Sequence, residues 1–433
     1  SRLVGSLREE TIRNGKANWF FCPCDAVIKK PFNPFIHLLR HYFSQNIRGL
    51  SNRHYQYQRQ FKSLINKLQA ISSVEGFSSM VAKDLVEKLN HSDNAFRFLL
   101  GLSLSAPDWD DLAPQTRYQM AKDGIISIIL AESLLHPLLL QIEDSHWLDP
   151  SSKELLVSLC QQLPTFPIML VVTSRTEAST EIKTFLPTNS SSQVGVFIHL
   201  ENFTRKTCAQ FTEIILGNEA NEALLDYVEV TTNRNPFYLE QMVEFLKEKD
   251  WLTTYHGKWT LNTGEIVTPE KIGNLLTTRI DSLNPDLREL CKVAAVIGRE
   301  FDLTILETVW KALHTDANIL QTQIGFIENL IKAGSRENIW RPLTKRRFLF
   351  QHALLREAAY NIQLPATLQQ IHLLVAEAIE LHFKDHIELK LQELAYHYEL
   401  ANHTQKASEF LYLAAVQAKN NYLNEHALGF LEK

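Results

Sequence analysis

The sequence predicts an α/β domain built on a parallel sheet, followed by helical modules. Three observations carry this expectation. Short continuous apolar runs, "ANWFFCPC" (17–24), "PLLLQIED" (137–144) and "FPIMLVVTSR" (166–175), are separated by amphipathic stretches. That is the pattern of parallel strands covered on both faces. The middle run ends in two adjacent acids, Glu143 and Asp144. Beyond Phe203 the apolar spacing is helical almost to Lys433.

Taken in order, residues 1–14 place apolar side chains at Leu3, Val4, Leu7 and Ile12 with charges between, a helix that Gly15 ends. "ANWFFCPC" is the first strand. Residues 34–135 read as mostly helical, with breaks at Gly76, at "NHSDN" (90–94) and at "SAPDWDD" (105–111). The run 137–144 is the second strand. "SSKELLVSLCQQL" (151–163) is an amphipathic helix with Ser151 or Ser152 as its expected N-cap. Residues 166–175 form the third strand, and "QVGVFIHLENF" (193–203) a shorter fourth. Helices fill 204–250. "LTTYHGKWTLN" (252–262) is a small hairpin, and three or four helices and a polar turn, "AGSRENIW" (333–340), follow to 362. From 366 onward the pattern is helical, and Ala395, Ala407, Ala414, Ala415, Ala418 and Ala427 suit close helix-hairpin stacking. The expected domains are thus 1–203, 204–250, 251–362 and 363–433.

The chain of 433 residues is 45% hydrophobic and 21% charged, which is ordinary globular composition. A net charge of −5 carries no basic signature, so neither nucleic acid nor an anionic membrane is expected as a partner. No apolar run reaches the roughly 18 residues of a membrane span. Five sparse cysteines fit reduced thiols and a cytoplasmic location better than a disulfide framework. "CPC" at 22–24 lacks a partner Cys or His pair at zinc-finger spacing and reads as strand. "SNRHYQYQRQFK" (51–62) mixes bases with aromatics and reads as an exposed amphipathic helix.

The acid pair points to chemistry. Ligands of open parallel sheets bind at the carboxyl ends of strands. Two carboxylates there are costly to bury unless a cation or proton shares them. In nucleotide hydrolases that cation is Mg²⁺, with one acid on the metal or its water and the next polarising the attacking water. The next strand ends in Thr173, Ser174 and Arg175. An arginine there can meet a γ-phosphate and stabilise charge moving to the leaving oxygen.

These residues also carry a family resemblance. "LLLQIEDSHWLDPSS" resembles the Walker B segment of STAND-type AAA ATPases, and "NRNPFYLEQMVEFL" the segment of their helical lid whose Pro lies against adenine. "LLTTRIDSLNPDLRELCKVAAVIGREFDLTIL" is similar to the start of their winged-helix domain. "FQHALLREAAYNIQLPATLQQIHLLVAEAIE" is similar to the segment before their tetratricopeptide-like region. The resemblance implies a P-loop NTPase core, an all-α lid, a winged-helix-like module and TPR-like repeats. It also implies the ATPase region of a larger bacterial signalling protein, such as an adenylate/guanylate cyclase, a LuxR-type regulator or a Ser/Thr kinase fused to a sensor module, with "IGREF" and "HALLREAAY" favouring the cyclase-associated type. ATP and Mg²⁺ are the implied cofactors. Glu143 and Asp144 would serve the metal, Asp144 and Arg175 catalysis, and Asn235 and Pro236 the base. His146 has two readings, nucleotide sensing or a hydrogen-bond partner behind the site. Asp149 reads as a helix acid, and Arg279 and Arg288 as ion-pair or interface residues. His352 and Arg356 are expected on a solvated helix face.

A P-loop, G-x-x-x-x-G-K-[ST], is absent from the 433 residues. Gly15-Lys16 and Gly257-Lys258 lack both the following hydroxyl and the earlier glycine. "SRLVGSLREE" instead matches the residues on the carboxyl side of the family's Gly-Lys, so Ser1 is the expected last residue of the motif, touching phosphate and Mg²⁺. The first strand and the loop are then expected upstream, making this a piece of a longer protein. There are two departures: Arg234 replaces the glycine usual before Asn-Pro-Phe, and Ser145, a small change, replaces an apolar residue. Two functions remain open. One is a switch ATPase whose helical tail binds protein partners and supports self-association. The other is a non-hydrolysing scaffold, or a transcriptional regulator using the same tail.

Overall fold

The structure, a computed structural model, describes residues 2–15, 17–24, 31–45, 50–73, 76–102, 109, 111–175, 195–248, 250–262, 272–314, 323–420 and 424–433. It divides into two compact units. The first comprises Ser1–Phe197, Asp385–Tyr396 and Thr404–Lys433; the second comprises Ile198–Lys384 and His397–His403.

The first unit is built on three parallel strands in the order β1 (Asn18–Pro23), β2 (Leu138–Glu143), β3 (Ile168–Val172). Asn18 sits beside Leu138, and Leu138 beside Ile168, so the strand starts are level. Central β2 buries Leu138 through Ile142, as a strand covered on both faces must. The helices Asn33–Tyr42, Pro114–Leu135 and Pro150–Cys160 share its core. Helix Pro114–Leu135 is buried nearly all round, through Ile125, Ile128, Ile129 and Ala131. Its buried cation, Lys122, reaches Glu154 at 2.6 Å. Helices Leu50–Ser72 and Asp93–Leu99 bring Tyr57 and Phe96 against Phe43, with ring centroids 4.8 and 6.1 Å from it. Helix Thr404–Asn420 buries Ala407, Ala414, Ala415 and Ala418, the small residues that let helices approach closely.

Residues 195–203 form no strand, contrary to the expected fourth; 193 and 194 lie outside the described residues. Val196, Ile198 and Leu200 are exposed. Apolar alternation alone does not make a strand when no neighbouring ladder satisfies its backbone. The helix after β2 is also capped differently from expectation. Asp149 takes the N-cap and Ser152 is its donor, because Pro150 at the first helical position forces the preceding residue to be extended.

In the second unit, helices Arg205–Leu216, Glu222–Thr232 and Pro236–Glu248 enclose Leu224, Val228, Leu239, Val243 and Leu246. The hairpin β4 (Leu252–Tyr255) and β5 (Lys258–Leu261) turns through His256 and Gly257, both with positive φ. Four helices follow, Ile272–Ser282, Pro285–Ile297, Leu303–Leu313 and Gln323–Arg336. They pack with an antiparallel sheet of β6 (Glu300–Asp302), β7 (Trp340–Pro342) and β8 (Arg347–Phe350), order β6-β8-β7. Buried Trp340 donates to the Ile331 carbonyl at 2.9 Å. A Cβ on Gly334 would lie 2.2 Å from that indole, so only glycine fits there.

Helices Ala353–Asn361 and Pro365–His382 complete the unit. His352 and Arg356 are not on a solvated face. His352 is half-buried with its ring 4.5 Å from Phe237, and Arg356 donates to the Ala295 carbonyl at 2.7 Å. Buried His372 and His397 face each other through Nδ1 at 2.8 Å, and Tyr360 meets His372 Nε2 at 2.9 Å.

Burial lowers His372 to about 4, assisted by Arg356. Burial, then Arg279 and Arg299, lower His352 to about 4. Below its ordinary pKa near 6.5 each imidazole is protonated in the unfolded chain but still neutral when folded. Acidification therefore favours unfolding, with the whole effect falling between pH 6.5 and 4 and none below. Each shift corresponds to roughly 3 kcal/mol. Urea unfolding should show stability falling steeply across that window, and His372→Gln should flatten the fall.

Candidate functional site

The carboxyl ends of β2 and β3 are joined by a turn that explains the acid pair. Ile142 is level with Val172, so Glu143 and Asp144 emerge beside Thr173. The Ser145 amide and hydroxyl both donate to the Thr173 carbonyl, at 2.9 and 3.0 Å. The Asp144 amide donates to the Thr173 hydroxyl at 3.2 Å. Asp144 is thereby held at φ 57, ψ 47, the left-handed region. Asp enters it more readily than most residues, but at some cost. A single 3-10 turn, Ser145–Trp147, follows, and the Asp144 side chain makes no cap bond to it. The carboxylate's placement is therefore not explained by helix capping.

Asp149 does the opposite job. Its Oδ1 accepts from the amides of Ser152 (2.9 Å) and Phe32 (3.1 Å), and its Oδ2 from the Ser152 hydroxyl (2.6 Å). Fully buried, it ties the chain after β1 to the helix after β2. It is the helix acid that its position suggested.

The structure brings Glu143, Asp144, His146 and Arg175 to one end of the sheet. The Arg175 guanidinium lies over the Trp147 ring, 5.3 Å from its centroid. The His146 ring lies 4.4 Å from the same indole. Glu143 pairs with Pro23 across the sheet, and its carbonyl accepts from the Cys24 amide at 3.0 Å. Ser1 lies outside the described residues. Asn235 and Pro236 belong to the second unit. There Asn235 Oδ1 accepts from the Phe237 amide at 3.0 Å, and Pro236 opens its helix. Arg234 takes φ 59, so the turn keeps the left-handed geometry a glycine would supply. Its carbonyl accepts from the Phe203 amide at 2.9 Å, which holds it there. Arg279 is buried against the Glu337 carbonyl (3.1 Å) and Glu244 (3.7 Å). Arg288 reaches the Asp281 carbonyl at 3.2 Å.

The sequence pattern carries no role for Trp147 and makes Ser145 a small change. The signal for Ser145 was a polar residue where an apolar one is usual. Phe32, at φ 56 and bonded to Asp149, had none.

Among the described residues no group of three or more His, Cys, Asp or Glu side chains could hold a metal by itself. The donors present are oxygens of two adjacent carboxylates. That set suits Mg²⁺, which is held by one or two carboxylates together with phosphate and water. No helix among the described residues is long and apolar enough to cross a membrane. All five cysteines are free and buried, and burial raises the thiols of Cys22, Cys160, Cys208 and Cys291.

No family model matches the chain. It is similar to an uncharacterized protein of Rhizobium meliloti (strain 1021), 23% identical over 348 residues. The match covers 78% of this chain and 32% of that protein, so the chain spans about a third of its relative's length.

Two left-handed residues give separable outcomes. Arg234→Gly should raise stability by about 1 kcal/mol by relieving strain. Asp144→Gly should leave thermal stability unchanged or higher, while Asp144→Ala lowers it by about 1 kcal/mol. A structural role for the Asp144 carboxylate would instead make both Asp144 variants unstable.

Proposed function

We propose that the chain is the ATP-binding and hydrolysing STAND-type regulatory module of a larger signalling protein, of the kind attached to adenylate/guanylate cyclases. The observation that carries this is Asp144. A buried parallel strand ends in a residue forced into left-handed geometry, and its carboxylate does not cap the turn it opens. The backbone cost is understandable if the carboxylate is presented to a ligand.

In this reading Mg²⁺ would be held by Glu143 and Asp144, with Ser1 contributing its hydroxyl, and would neutralise phosphate charge. Asp144 accepts a hydrogen bond from the attacking water and orients it toward the terminal phosphorus. The water oxygen bonds to phosphorus, the water's proton passes to the released phosphate, and the bond to the bridging oxygen breaks with its electron pair left on ADP. The guanidinium of Arg175 meets the γ-phosphate and stabilises that charge. His146 hydrogen-bonds near the phosphate. Turnover is slow, and the output is a shift between conformations that the helical tail passes to protein partners. The relative's greater length agrees with a module inside a larger protein.

The reading requires a phosphate loop, and the 433 residues contain none. Isothermal titration of MgATP into the 433-residue chain should therefore show no micromolar binding. A protein extended upstream through that loop should hydrolyse ATP, and Asp144→Ala or Arg175→Ala should lower turnover by about 10²-fold or more. Turnover unchanged in both variants, or an extended protein with a degraded loop and no hydrolysis, would favour the scaffold.

A further inference from the structure

Trp147, at the strand ends, touches two of the site's other side chains. Its amide donates to the Asp144 carbonyl at 3.0 Å, closing the 3-10 turn. Its indole is partly buried and packs on the core of the first unit. The face it presents carries the Arg175 guanidinium at 5.3 Å, and the His146 ring lies beside it at 4.4 Å. Arg175 itself is exposed and is the last described residue after β3. A long exposed side chain samples many rotamers, and ordering it costs entropy that the reaction must supply. An indole face attracts a guanidinium and narrows that search.

We infer that Trp147 is a positioning residue, resting on the nucleotide reading above. One hydrogen bond fixes the Trp147 main chain relative to Asp144, packing on the core holds its indole, and one cation–π contact fixes Arg175 relative to the indole. Trp147 thus sets the spacing between the carboxylate that faces water and metal and the guanidinium that faces phosphate. It touches neither substrate nor metal. Ser145 supports the same geometry from beneath. Its two bonds to the Thr173 carbonyl hold the chain leading to Arg175 against the turn leading to Trp147.

The first test uses the 433-residue chain. Subtracting the emission of Trp147→Phe from that of the unaltered chain isolates the Trp147 signal. Arg175→Met should shift that signal, and an unshifted signal overturns the contact. The second test uses MgATP turnover by the protein extended through its phosphate loop. Trp147→Leu should lower kcat about tenfold or more, with KM within about twofold. Trp147→Phe, which keeps an aromatic face, should recover most of the loss. In an Arg175→Ala background, Trp147→Leu should cost nothing further. Equal losses in the Leu and Phe variants, or additive losses with Arg175→Ala, assign Trp147 to packing and overturn the proposal. If Arg175→Ala and Asp144→Ala themselves leave turnover unchanged, it is the nucleotide reading that fails. That outcome is read independently of the emission measurement.

Discussion

The Thr173 carbonyl and hydroxyl decide the geometry of the first unit's working end. A parallel sheet leaves each strand's last polar groups without a ladder partner. Here Ser145 and Asp144 take up those of β3. The consequence is a turn tight enough to force Asp144 into the left-handed region. Everything nearby inherits that choice. The 3-10 turn puts Trp147 next to Arg175, and the extended residue after it lets Pro150 start a helix.

Two acids of one short stretch end up with different roles because one caps a helix and the other does not. Asp149 is fully buried and collects two amides and a hydroxyl, so its charge stabilises the fold. Asp144, five residues earlier, is half-exposed and does not cap its turn. The same logic operates in the second unit. Asn233 and Arg234 both enter the left-handed region just before the Asn235 cap, so a turn rather than a longer helix introduces Pro236.

Buried cationic and imidazole groups concentrate in the second unit, and each finds a main-chain or ring partner. Arg279 uses the Glu337 carbonyl, Arg356 the Ala295 carbonyl, and His372 pairs with His397 and Tyr360. These contacts join helices far apart in sequence. They make the unit's packing responsive to protonation in a way a purely apolar core would not be.

The residues themselves determined much of this. Apolar runs between amphipathic segments placed β1 and β2 within a residue and β3 within three. Gly15 and Gly76 marked helix boundaries, and the acid pair marked the strand end that holds the candidate site. Tertiary structure alone decided the rest. It left 195–203 outside any strand although that run alternates like one, because strand formation needs a neighbouring strand that local pattern does not supply. It half-buried His352 and set it against Phe237, more than a hundred residues away in the chain. It also stacked Arg175 on Trp147 and gave Ser145 its partner in Thr173. Periodicity reports which face of an element is buried, but which side chains meet across strands is set by register, and register is a property of the assembled sheet.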